Sequence, residues 1–228
     1  MNFDHNQATE ILSRTPTVLR AMLSGLSSDW TKHNEGENTW SPFDVIGHLI
    51  HGEEADWIPR AQIILEFGEA RAFEPFDRHA QFEASKGKTL EELLDTFAAL
   101  RRANLDTLHQ LQLTAEDWQK PGMHPALGRV TLGELLATWV AHDLDHIVQI
   151  ARTMARHLLF STWQHMLFER LTRSSDRFLV EFASKAVKEV AYHRDLSAEW
   201  TIRLGDGTEE SAGHMAEGLD WCWRFVPE

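Results

Sequence analysis

At 228 residues the chain is long enough to bury one sizeable core or two small ones, and its 43% hydrophobic and 25% charged residues exclude a largely disordered chain. Lys and Arg total 22 against 35 for Asp and Glu. The resulting net charge of -13 repels phosphate backbones and anionic lipid heads, which argues against nucleic acid as a partner.

Cys222 is the single cysteine, so no internal disulfide is expected. No basic start followed by an apolar run marks a secretory leader, and no stretch approaches the ~20 apolar residues of a membrane span. The expected compartment is the cytoplasm, with no membrane partner.

From Ala8, the apolar residues Ile11, Leu12, Val18, Leu19, Met22, Leu23 and Leu26 recur at three and four, which predicts a helix over about 6–26. After a polar loop, Ser41 is placed to cap a second helix, with Pro42 in its first turn and Asp44 three residues on; it runs to about 66. Residues 67–88 carry Gly68, Pro75 and Gly87 without a sustained period and read as a long connection with at most a short helical turn. Thr89 and Glu92 have capping-box spacing and open a third helix that ends near 112.

A Pro and Gly rich stretch from Lys120 to Arg129 leads to a further capping-box pair, Thr131 and Glu134, at the head of a fourth helix. No proline falls between Pro125 and Pro227 and no glycine between Gly133 and Gly205, so the helical period continues to about Arg173. Such a helix would be ~60 Å long at 1.5 Å per residue, and a kink or break is expected near 156–160. Ser174, Ser175 and Asp176 cap a helix to Leu204, and Thr208 caps a last one to Phe225. The tail's apolar residues Trp163, Phe168, Phe178, Phe182, Val187, Trp200, Trp221 and Phe225 need burial, on the bundle or in a homodimer.

The chemistry concentrates in histidines. His142 and His146 stand one turn apart, on the side of the fourth helix that carries Leu135, Trp139 and Ile150, so one divalent ion can be gripped by both imidazoles. The second helix offers His48 and His51 as a third ligand, and spacing alone does not choose between them. Three imidazoles leave coordination positions open, as in catalytic sites, for water or a substrate thiol. Asp143, Asp145 and Glu134 are candidate carboxylates behind the imidazoles, though such residues more often form a solvated helix face. Arg71, Arg78 and Arg129 are candidates to attract an anionic substrate.

The run Trp40-Ser41-Pro42-Phe43-Asp44-Val45-Ile46-Gly47-His48-Leu49, with Glu53 or Glu54 and Trp57, resembles the second helix of the DinB family of metal-binding four-helix bundles. Thr131-Leu132-Gly133-Glu134-Leu135-Leu136, followed by His142, Asp143, His146 and Gln149, is similar to that family's fourth helix. The resemblance covers residues 1–156. It implies an all-α, DinB/YfiT-like four-helix bundle holding a divalent metal, zinc, nickel or iron, on His48, His142 and His146, with His51 a neighbour. It further implies action on a small-molecule substrate, a low-molecular-weight thiol or thiol conjugate, in the manner of a thiol S-transferase or hydrolase.

A different likeness occupies 157–228. Ala155-Arg156-His157 through Trp163, Leu167-Phe168-Glu169-Arg170-Leu171, Ala186 to His193, Arg203 to Thr208 and Trp223-Arg224-Phe225 resemble the ferritin-like PaaC subunit of phenylacetyl-CoA epoxidase. This implies an additional carboxy-terminal helical hairpin and a non-catalytic, scaffolding role in a complex. Glu189 and His193 lie one turn apart, but a di-iron bundle needs further carboxylates from other helices, so they read as a charged helix face. Two resemblances joined within one helix describe a chimera or fusion.

Overall fold

In the computed structural model, which describes residues 4–36 and 38–223, the chain forms nine α-helices, two short 3-10 turns and one β-hairpin among those residues. The helices are α1 His5–Leu23, α2 Ser28–Thr31, α3 Pro42–Ala55, α4 Trp57–Phe67, α5 Ala80–Ala84, α6 Leu90–Gln110, α7 Leu132–Leu171, α8 Arg177–Gly205 and α9 Glu209–Trp223; the strands are β1 Pro121–His124 and β2 Gly128–Thr131. The fold is all-α apart from the hairpin. Two compact units divide it, residues 1–33 with 40–147 and residues 34–39 with 148–228.

The first unit is a four-helix bundle of α1, α3 with α4, α6 and the first part of α7. Its core joins Leu12 of α1, Trp57, Ala61 and Ile64 of α4, and Leu132, Leu136 and Trp139 of α7, with Leu105 and Leu108 of α6 packed against them. Three capping boxes fix where its helices begin. The Ser41 and Thr89 oxygens accept from the N–H groups of Asp44 and Glu92 at 3.2 and 3.3 Å, and those carboxylates accept from the cap N–H groups at 2.9 and 2.7 Å. Thr131 and Glu134 repeat the arrangement at 3.2 and 2.7 Å.

The expected second helix, 42–66, is two segments. It breaks at Asp56 (φ -110, ψ -75) because Pro59 has no N–H to donate to the carbonyl of Ala55 and its ring crowds that carbonyl. The first helix ends at Leu23, not 26, with Gly25 in the left-handed region at φ +78. The stretch 120–129 contributes to a hairpin in which Pro121 pairs with Thr131 and His124 with Gly128, whose φ of +76 closes the three-residue loop. Gly47 lets the Ser85 segment approach α3, since a Cβ there would lie 2.5 Å from Ser85 Oγ.

Helix α7 is unbroken over 40 residues, so the interruption expected near 156–160 is absent. With neither proline nor glycine in α7 after Gly133, nothing removes a backbone bond or adds flexibility there. In the second unit, α8 packs on α9, and Arg152 and Arg156 each reach Glu35 at 3.6 Å. Asp176 caps α8 by accepting from Phe178 N–H at 2.8 Å, and Thr208 accepts from Ser211 N–H at 3.1 Å at the head of α9.

Ala183, Val190, Met215 and Cys222 are buried in this unit, whereas Trp163, Phe178 and Phe182 are exposed in the single chain, as are Phe160 and Met166. Phe225 and the side chain of Trp221 lie outside the described residues. No helix among the described residues is long and apolar enough to cross a membrane.

Candidate metal centre

His48 projects from the buried side of α3, between Val45 and Leu49; His142 and His146 project from α7 beside Trp139 and Ile150. Their Nε2 atoms converge: His48 to His142 is 2.9 Å and His142 to His146 is 3.1 Å. Among the described residues, these three form the cluster of His, Cys, Asp or Glu side chains whose ligand atoms all lie within 4.8 Å of one another. His51, which spacing left open, is turned to Phe76 at a ring distance of 4.7 Å.

Burial, then the neighbouring imidazole of His146 and the Arg78 guanidinium, push His48 down to about 3; burial, then His146 and His48, push His142 down to about 2. Both rings are therefore neutral near pH 7, with lone pairs available for an ion. Two imidazole nitrogens each ~2.0–2.1 Å from one ion stand about 3 Å apart, which is the spacing found. The donor set thus fits a divalent metal. The Nδ1 atoms of His48 and His142 are buried without a hydrogen-bond partner, where many metal-binding histidines have an acceptor.

Aromatic side chains wall the cluster. Trp40 lies 4.7 Å from the His48 ring and 6.4 Å, nearly parallel, from His146; Trp57 is 5.2 Å from His142 and Phe76 5.5 Å from His48. Arg78 is exposed, and its charge bears on both His48 and His142. The other two arginines considered for substrate attraction are occupied: Arg71 lies over Phe67 and Arg129 pairs with Glu69 at 3.2 Å.

A buried ionic cluster shares the same helices. Arg101 of α6, 1% exposed, donates to Glu53 at 2.7 and 3.1 Å, to Asp143 at 2.6 and 2.9 Å, and to the Leu12 carbonyl at 2.9 Å. Asn104 and the Trp139 indole N–H complete the partners of Glu53 at 3.0 and 3.1 Å. Trp139 stacks on Trp57, so the cluster adjoins the wall behind His142. Burial works to lower Arg101, but Asp143 and Glu53 outweigh it and hold the guanidinium above its usual value; burial pushes the Glu53 carboxyl up.

Of the carboxylates considered behind the imidazoles, only Asp143 is buried. Asp145 faces solvent and Glu134 is spent on the α7 cap. Arg101 escaped the sequence reading, because an arginine inside an amphipathic helix ordinarily belongs to the wet face. Glu189 is exposed and His193 packs near His157 and Tyr192, so neither joins the metal-capable cluster.

Fold and site together define a helical-bundle protein with a buried three-imidazole cluster. The sequence model described as "Phenylacetic acid catabolic protein" matches residues 66–228, and the chain belongs to that family. The match starts well before residue 157, where the second resemblance was expected to begin.

Over 78 residues the chain is 40% identical to a subunit of the 1,2-phenylacetyl-CoA epoxidase of Escherichia coli (strain K12), covering 34% of this chain and 32% of that protein. The chain thus matches about a third of the length of this relative. Its structure is similar to that of YfiT from Bacillus subtilis, described as "a probable metal-dependent hydrolase with an unusual four-helix bundle topology", with a TM-score of 0.58, 21% identity, and coverage of 67% of this chain and 88% of YfiT. That likeness establishes the shared bundle fold.

Proposed function

We propose that the first unit is a metal-dependent enzyme acting on a small molecule, a low-molecular-weight thiol or thiol conjugate, at His48, His142 and His146. The observation that carries this reading is the convergence of three Nε2 atoms, that of His142 lying 2.9 Å from His48 and 3.1 Å from His146, with all three within 4.8 Å of one another. A divalent ion there supplies a water acidified toward neutral pH or a site for a thiolate. The protein's part is to hold the His48 and His142 imidazoles neutral through burial, to wall the site with Trp40, Trp57 and Phe76, and to present the Arg78 cation to a departing or incoming anion.

Elemental analysis of tag-free protein tests this, with wild type and His146→Ala compared. Bound zinc, nickel or iron in the wild type and none in a variant that keeps its helical circular dichroism is the expected result. A metal-free wild type that also fails to take up added zinc or nickel overturns it.

A second reading has its own support. Family membership, together with the exposed aromatic residues Phe160, Trp163, Phe178 and Phe182 on α7 and α8, favours a role as an associating, scaffold-like subunit, as a homodimer or within a larger complex.

A further inference from the structure

Away from the histidines, the end of α2, the first turn of α3, Phe82 of α5 and the segment joining α5 to α6 border a cavity of about 260 Å³ that is open to solvent. Lys32, Lys86 and Lys88 line it. They are half of the lysines of a chain whose net charge is -13, the others being Lys120, Lys185 and Lys188. The carboxylate in the lining, Asp44, is engaged by the N–H and hydroxyl of Ser41 at 2.9 and 2.6 Å, as the cap of α3 requires.

The lysines differ in how they are held. The Lys32 ammonium stands 5.2 Å from the centre of the Phe43 ring, which orients it over the cavity's apolar wall. Lys86 meets Glu83 at 3.6 Å with both side chains about three-quarters or more exposed, an ion pair too weak to commit its charge. Lys88 immediately precedes Thr89, the cap of α6, so the positive ends of α3 and α6 both adjoin the cavity and add to the lysine field.

Phe43 and Phe82 supply flat apolar surface, and the volume suits a ligand smaller than those of typical pockets of ~300–1,000 Å³. Phe82 also stands edge-on to Trp40, at 6.5 Å and 84°, and Trp40 covers His48, so cavity and histidine cluster share a wall.

We propose that this cavity binds a small organic anion, a carboxylate or phosphate carried on an aromatic or similarly flat apolar group. The lysines hold the charge, and Phe43 and Phe82 hold the body. The ligand's charge, not a metal, is what the site recognises, so the proposal stands independently of the histidine cluster.

Titration of the full chain followed by amide NMR tests it, with phenyl phosphate, benzoate, inorganic phosphate and neutral benzamide as probes. Saturable shifts at residues 32, 43, 82 and 85–88 are expected with one or both aryl anions. Inorganic phosphate should bind at least about fivefold more weakly for want of the ring contacts, and benzamide should bind still less. Lys88→Gln, which leaves the Lys32 to Phe43 contact intact, should weaken the aryl anion about fivefold or more, and His146→Ala should leave it unchanged.

Binding of benzamide as tight as that of the anions overturns the proposal. So do indifference to Lys88→Gln and Lys86→Gln in proteins with otherwise native spectra, absence of saturable shifts, or shifts centred on His48, His142 and His146 in their place.

Discussion

Arg101 concentrates the residue-scale energetics. One guanidinium faces two carboxylates, Glu53 and Asp143, with none of the three more than 3% exposed. Removing it leaves two buried anions, so Arg101→Met should cost ~3–5 kcal/mol in urea unfolding followed by circular dichroism. Arg101→Lys should recover only part, because an ammonium cannot present the paired donors that bridge two carboxylates.

The histidines give a pH dependence of definite sign. The folded values of His48 and His142, about 3 and about 2, lie below the ordinary 6.5, so the unfolded chain binds more protons between those limits. Their contribution to the stability of metal-free protein is present above pH ~6.5 and is lost as pH falls toward 3. Urea midpoints measured on chelator-treated protein across pH 4–7 should decline toward acid, and the slope should flatten in His48→Ala.

The HxxxH pair was legible because one helical turn is a fixed distance, whereas the choice of His48 over His51 came from a resemblance and not from spacing. The partners of Arg101 were not legible, since three charges distant in sequence meet only through tertiary packing.

Helix starts were the most readable elements. Ser41, Thr89 and Thr131 each announce a cap through a carboxylate three residues on, and all three boxes form. The break at Asp56 is harder to read although Pro59 marks it, because the apolar period runs through from Val45 to Ile64 and masks the lost backbone bond. The hairpin is too short, at four residues a strand, for alternation to signal it.

Packing between elements is testable at Gly47. Alanine there sets a methyl 2.5 Å from Ser85 Oγ, so Gly47→Ala should destabilise by ~1–3 kcal/mol. Adding Ser85→Ala removes the obstructing oxygen and should restore much of the loss, a non-additivity that a double-mutant cycle in urea reads directly.

At the scale of the whole molecule, two units share one helix, α7, and differ in how well they cover their apolar side chains. The first encloses Leu12, Leu19, Phe97 and Ile46 completely; the second leaves Phe178 74% and Phe182 52% exposed. Sedimentation velocity over a range of concentrations should reveal self-association, and Phe178→Asp with Phe182→Asp should shift it toward monomer. A wild type that stays monomeric throughout rules out the homodimer.

The lone cysteine makes the second unit separately observable. Cys222 is 4% exposed, and burial pushes its thiol up, so it reacts with a soluble thiol reagent only when its surroundings open. Its labelling rate is therefore a local clock for opening of that unit. The thiol therefore reports on the second unit alone, the first having no cysteine, whereas tryptophans in both units, Trp30 and Trp163 among them, make fluorescence a reading of the whole chain.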